Sequence, residues 1–223
     1  MVPVWWHTMT TSSLQADQTL TKQRYRHMVM IVSGLLFAGS ALGALITENW
    51  RNLMIGLILM VLLFAPVVAE RWIKVTVPTS VQVQYAALLV AGPYLGGYWR
   101  WYEIWQPWDT VVHFYSGIIA SFALLLLLRK TVHTYRLSLP PWFEIVMLIT
   151  AKATIALTWE IGEFFFDLTF DTRTQGGNFD TMTDMMAGVF PALVIAVGLY
   201  LHQRYGMFRY FTSLDIAGKT PGK

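Results

Sequence analysis

Cysteine is absent from the 223 residues. That excludes a disulfide framework, thiolate metal ligands and a cysteine nucleophile. Charge is scarce as well: 13% of residues are Asp, Glu, Lys or Arg, against about 25% in soluble domains. A soluble fold of this length needs more charge to cover its surface. With 55% hydrophobic residues and a mean hydropathy of +0.47, the composition points to an integral membrane protein. The net charge is only +3 and the basic residues fall in loops, so a nucleic-acid partner is not expected. No signal-peptide pattern is present. A basic group (Lys22, Arg24, Arg26) precedes the first apolar run, and no small-residue cleavage site follows it.

Crossing a bilayer takes roughly 20 apolar residues. Six runs qualify, at 28–46, 53–69, 81–97, 109–128, 141–168 and 180–202. The expected fold class is therefore an all-α membrane protein, a bundle of six transmembrane helices. A polar N-terminal tail (1–27) precedes the transmembrane domain (28–203), and a C-terminal tail (204–223) follows it. Twelve of the sixteen Lys and Arg fall on one side, against Arg51, Arg100 and Arg173 on the other. The excess of basic residues on cytoplasmic loops then puts both termini in the cytoplasm of a bacterial inner membrane, with lipids as the surrounding partner. GxxxG steps at Gly39/Gly43 and Gly92/Gly96 suit close helix packing. Pro66, Pro93 and Pro191 are expected to kink their helices. The segment 98–108 holds four Trp and reads as an interfacial belt.

Nine of the thirteen acids lie on the predicted outer side, and most of them gather on three helices. Span 4 opens with Asp109 and His113, span 5 closes with Glu160, Glu163 and Asp167, and span 6 opens with Asp180 and Asp184. Residues four apart share one helical face, so each helix presents a vertical set of polar groups to the same leaflet. Asp109 and Asp180 suit N-caps. His113 and Asp184 lie one turn further in, where capping does not explain them. Together Asp109, His113, Glu160, Glu163, Asp180 and Asp184 form a hard-ligand set suited to a divalent metal ion. His113, Glu160, Glu163 and Asp184 are the candidates for catalysis. Without metal, clustered carboxylates cannot all stay ionised, and one becomes a proton carrier or a general acid–base. Lys152, in the middle of span 5, and Arg173, in the loop between spans 5 and 6, are the candidate substrate-binding cations.

The stretches Trp108-Asp109-Thr-Val-Val-His113-Phe, Trp159-Glu160-Ile-Gly-Glu163 and Thr174-Gln-Gly-Gly-Asn-Phe-Asp180-Thr-Met-Thr-Asp184-Met resemble the YjdF-type family of uncharacterised bacterial inner-membrane proteins. More distantly they are similar to VanZ-like proteins, in which the second Glu of Glu160-x-x-Glu163 is usually Gln. The resemblance covers about residues 95–203 and implies a small multispan bacterial membrane protein without an assigned reaction. Three functions stay open at this point: a metal-dependent enzyme on envelope lipids or lipid-linked precursors, a proton- or ion-coupled transporter, and a non-catalytic membrane factor with a structural polar network.

Overall fold

The computed structural model describes residues 4–73, 77–208 and 211, and all regular structure among them is helical. The elements in order are α1 (Val4–Ile46), α2 (Trp50–Leu63), α3 (Ala65–Ile73), α4 (Thr79–Leu89), a π-helix (Val90–Tyr98), α5 (Trp101–Ile104), α6 (Pro107–Thr134), α7 (Pro141–Phe170) and α8 (Asn178–Tyr205). Five stretches are long and apolar enough to cross a membrane: Gln23–Ile46, Trp50–Trp72, Pro107–Thr134, Pro141–Phe170 and Asn178–Tyr205. The sixth run, 81–97, falls on α4 and the π-helix. Segment 1–27, read as a polar tail, is helical from Val4 onward and continuous with the first span. Of the C-terminal tail, most of the residues after Phe208 lie outside the described ones.

The chain divides into two compact units, residues 1–90 and 91–223. In the first, α1 packs against α2 and α4. Phe37, Ala41, Ile55, Leu59 and Leu89 form its interior. A Cβ on Gly56 would lie 2.9 Å from Ala41 Cβ, so α1 and α2 approach to near backbone contact there. At one end Glu70 joins three segments. It pairs with Arg26 at 2.8 Å and accepts hydrogen bonds from Val77 N and Gln82 Nε2. Asn49 caps α2 by accepting from Asn52 N. Pro66 sits just past the α2–α3 break at Phe64, which is the kink expected of a residue lacking an N–H.

In the second unit α6, α7 and α8 pack pairwise. Pro107 and Pro141 open α6 and α7, where a missing N–H costs nothing. Gly206, at φ 69°, closes α8 with its N–H on the His202 carbonyl. Leu125, Leu148, Ala196, Leu199 and Phe211 form an apolar cluster toward one end. The outer faces stay apolar: Val197 is 59% exposed and Phe165 60%, as lipid-facing surface requires.

Candidate functional site

The site is set by where α6 and α8 cross. A Cβ on Gly117 would come within 2.4 Å of the Gly188 carbonyl oxygen and 2.9 Å of the Pro191 ring. Glycine there lets the two backbones touch. One turn along from the crossing stand His113 on α6 and Asp184 on α8, and one turn further stand Asp109 and Asp180. The i, i+4 rows read from the sequence are thus brought face to face.

Asp109, His113 and Asp184 are all buried, and each offers a ligand atom within 4.8 Å of the others. His113 Nε2 lies 3.5 Å from Asp109 Oδ1. His113 Nδ1 lies 4.0 Å from Oε1 of Glu160, which α7 supplies. Neither contact closes as a hydrogen bond. Asp109 Oδ1 and Glu160 Oε1 are buried without a hydrogen-bond partner among the described residues, and the Thr181 hydroxyl stands toward the Glu160 carboxylate. Such atoms are rare and costly in an interior. Asp184 accepts a hydrogen bond from Thr110 Oγ1 at 3.1 Å. The Trp159 ring stands edge-on to His113, with centroids 6.4 Å apart.

The remaining sequence candidates lie around this centre. Glu163 is half-buried and accepts from Trp159 Nε1 at 2.9 Å. Asp109 is not a cap: α6 begins two residues earlier, and Gln106 at the N-cap position makes no side-chain bond. Asp180 is half-buried and accepts from Gly176 N, which ties it to the preceding loop. Asp167 organises that same loop, accepting from the Thr172 and Thr174 hydroxyls and from the N–H groups of Thr174 and Gln175. Arg173 is exposed and makes no ion pair with the site carboxylates among the described residues. Lys152 is 2% exposed. Its Nζ would lie 3.2 Å from a Cβ on Gly188, so the ammonium reaches the level one turn below Asp184. It has no hydrogen bond or ion pair among the described residues.

Tyr102 is the neighbour that sequence reasoning missed. Its ring lies on Gly96, where a Cβ would come within 2.2 Å of Cζ, and its hydroxyl lies 3.4 Å from a Cβ on Gly92. The same Gly92 Cβ position is 3.1 Å from Val112 of α6. The Gly92/Gly96 step therefore seats an aromatic ring at Gly96 and meets α6 at Gly92. Burial first, then the charges of Asp109, Glu163 and Asp184, hold the Tyr102 phenol well above its ordinary value of 10.0. The available signal was the Gly spacing beside the Trp-rich belt, which hides one inward Tyr among outward aromatics.

Arranged this way, the buried centre can hold a cation, or pass a proton between His113 and the carboxylates. Comparison with known proteins supplies no reaction. No solved structure matches the chain. An uncharacterized protein of Thermotoga maritima is 24% identical over 142 residues, which cover 61% of this chain and 70% of that one. Residues 2–205 match the family model described as "Predicted membrane protein (DUF2238)". The match takes in both helical units and every residue of the polar centre, and the chain belongs to that family.

Proposed function

We propose that this is a six-span protein of a bacterial inner membrane whose working centre is a divalent-cation site. Asp109, His113 and Asp184 are the ligands, and Glu160 stands beside them. The reaction proposed is metal-dependent hydrolysis or transfer on an envelope lipid or lipid-linked precursor at the outer leaflet. The observation that carries the reading is the set of three buried ligand atoms within 4.8 Å, in which Asp109 Oδ1, like Oε1 of the adjacent Glu160, has no hydrogen-bond partner among the described residues. An ion with ligands at about 2.1 Å separates neighbouring donor atoms by about 3.0–3.4 Å, close to the Asp109–His113 distance of 3.5 Å. A bound ion would lower the pKa of a coordinated water and polarise a phosphoryl oxygen.

The chain's own groups divide the remaining work. Glu160, near His113 but outside the three-ligand set, is placed to take a proton. Glu163 is hydrogen-bonded to Trp159, whose ring lies beside His113. Arg173, exposed in the loop anchored by Asp167, is the contact assigned to a substrate phosphate. The six-span count rests on α4 and the π-helix, residues 79–98, which contain no charged residue. The YjdF-type resemblance accords with this reading.

Metal content decides it. Purified full-length protein should carry about one divalent ion per chain after loading with Mn²⁺ or Zn²⁺ and desalting. Asp184→Asn should lose it, and Glu163→Gln should keep it. Equal and negligible metal in all three proteins would overturn the reading. A second reading, proton-coupled transport, is favoured by one observation: Lys152 is a buried cation beneath the acids, unpaired among the described residues, which a hydrolase does not need. Proton flux into liposomes that is lost in Lys152→Met, in a protein that binds no metal, would establish it instead.

A further inference from the structure

At the end of the second unit remote from Asp109 and Asp184 the helices leave an open cavity of about 1010 Å³. Its walls come from the last turns of α6, the link to α7, the first turn of α7 and the end of α8. The polar lining is Arg129, His133, Arg136, Glu144, His202 and Gln203. Glu144 is the only acid among the described lining residues and is already engaged. Arg129 donates to both of its oxygens, and Gln203 Nε2 donates to Oε2 at 3.1 Å. Arg129 spends a further N–H on the Phe211 carbonyl. His202 Nδ1 lies against the Met207 carbonyl, leaving its other ring nitrogen uncommitted. The Arg136 and His133 side chains have no partner among the described residues, and both residues are exposed. Among the described residues the cavity thus keeps uncommitted an Arg, one imidazole and the second ring nitrogen of another, with no described acid left to neutralise them.

Apolar side chains share the wall: Leu128, Val132, Leu137 and Leu139. Just outside it Tyr135 is 71% exposed and Trp142 61%, aromatic types that favour the headgroup layer. A basic pocket between helix ends, part apolar and at headgroup depth, matches an anionic lipid headgroup in both charge and amphiphilicity. Guanidinium and imidazole donors suit phosphate oxygens. We propose that this cavity is a binding site for a phosphate group, presented by an anionic phospholipid and held by Arg136, His133 and His202. It is separate from the acidic centre and does not depend on that centre's function.

The test uses full-length protein in detergent, with an Arg136→Ala, His133→Ala double variant. These side chains are exposed, so the variant should fold. Binding is read by native mass spectrometry and by the thermal midpoint, on adding dioleoylphosphatidylglycerol, dioleoylphosphatidylcholine or inorganic phosphate at constant ionic strength. Phosphatidylglycerol should bind and raise the midpoint, phosphatidylcholine should do neither, and the variant's affinity for phosphatidylglycerol should fall at least tenfold. A matching response to inorganic phosphate, lost in the variant, keeps the phosphate site and makes its source soluble. Equal binding of both lipids, or an unchanged variant, would overturn the proposal. So would failure of every probe to bind.

Discussion

At the scale of single residues, glycine decides more than the acids do. Gly117→Ala drives a Cβ into the Gly188 carbonyl oxygen at 2.4 Å, a backbone atom that cannot swing aside. The variant should lose about 1–3 kcal/mol or more and read as a lower thermal midpoint. Gly39→Ala, with nothing within 4 Å of its Cβ, should leave the midpoint unchanged. An equal effect from the two would contradict the crossing described. Tyr102 gives a pH test. Its phenol is held above 10.0 in the fold, whereas in the unfolded chain it ionises at its ordinary value. The associated stability is complete below about pH 10 and is lost as the pH rises beyond it. Tyr102→Phe should flatten the alkaline decline in the thermal midpoint. The polar centre was legible because acid and His spacings of four survive into any helix. The glycines were not, since a GxxxG step reads the same whether it meets a helix, a ring or open space.

Among the elements, the α7–α8 connection is the most strongly determined by one side chain. Four hydrogen bonds converge on the Asp167 carboxylate and fold the loop carrying Arg173. Asp167→Ala should release it, and trypsin should cut at Arg173 roughly tenfold faster, the effect of about 1.4 kcal/mol of lost order. An unchanged cleavage rate would mean the loop holds itself. Apolar run length placed five of the six spans, because hydropathy reports apolar length. It could not see that α1 begins at Val4, because that stretch is polar and hydropathy is silent on polar helices. Nor did it foresee the π-helix from Val90 to Tyr98. Pro93 marked a disturbance there, but an i→i+5 register leaves no hydropathy trace. Lys152 stands about 16 Å from Glu163 along α7 by helical rise, yet its side chain, longer than one helical turn, carries the ammonium toward Gly188.

For the molecule as a whole, the proposed orientation rests on the distribution of Lys and Arg. Reporter fusions after residues 131 and 176 should report cytoplasmic and outer positions respectively, and an outer residue 131 would reverse the assignment. The crossing of α6 and α8 bears on how the protein is made. Asp109 and His113 reach the bilayer with α6, Glu160 follows with α7, and Asp184 arrives last, 75 residues after Asp109 in the chain. Until α8 leaves the ribosome, the carboxylates already inserted lack the helix that closes their pocket. Nascent chains halted before α8 should therefore be the most vulnerable stage of biosynthesis, held at the insertion machinery or degraded. Quality control could then distinguish a finished molecule from an unfinished one by whether its acids are covered.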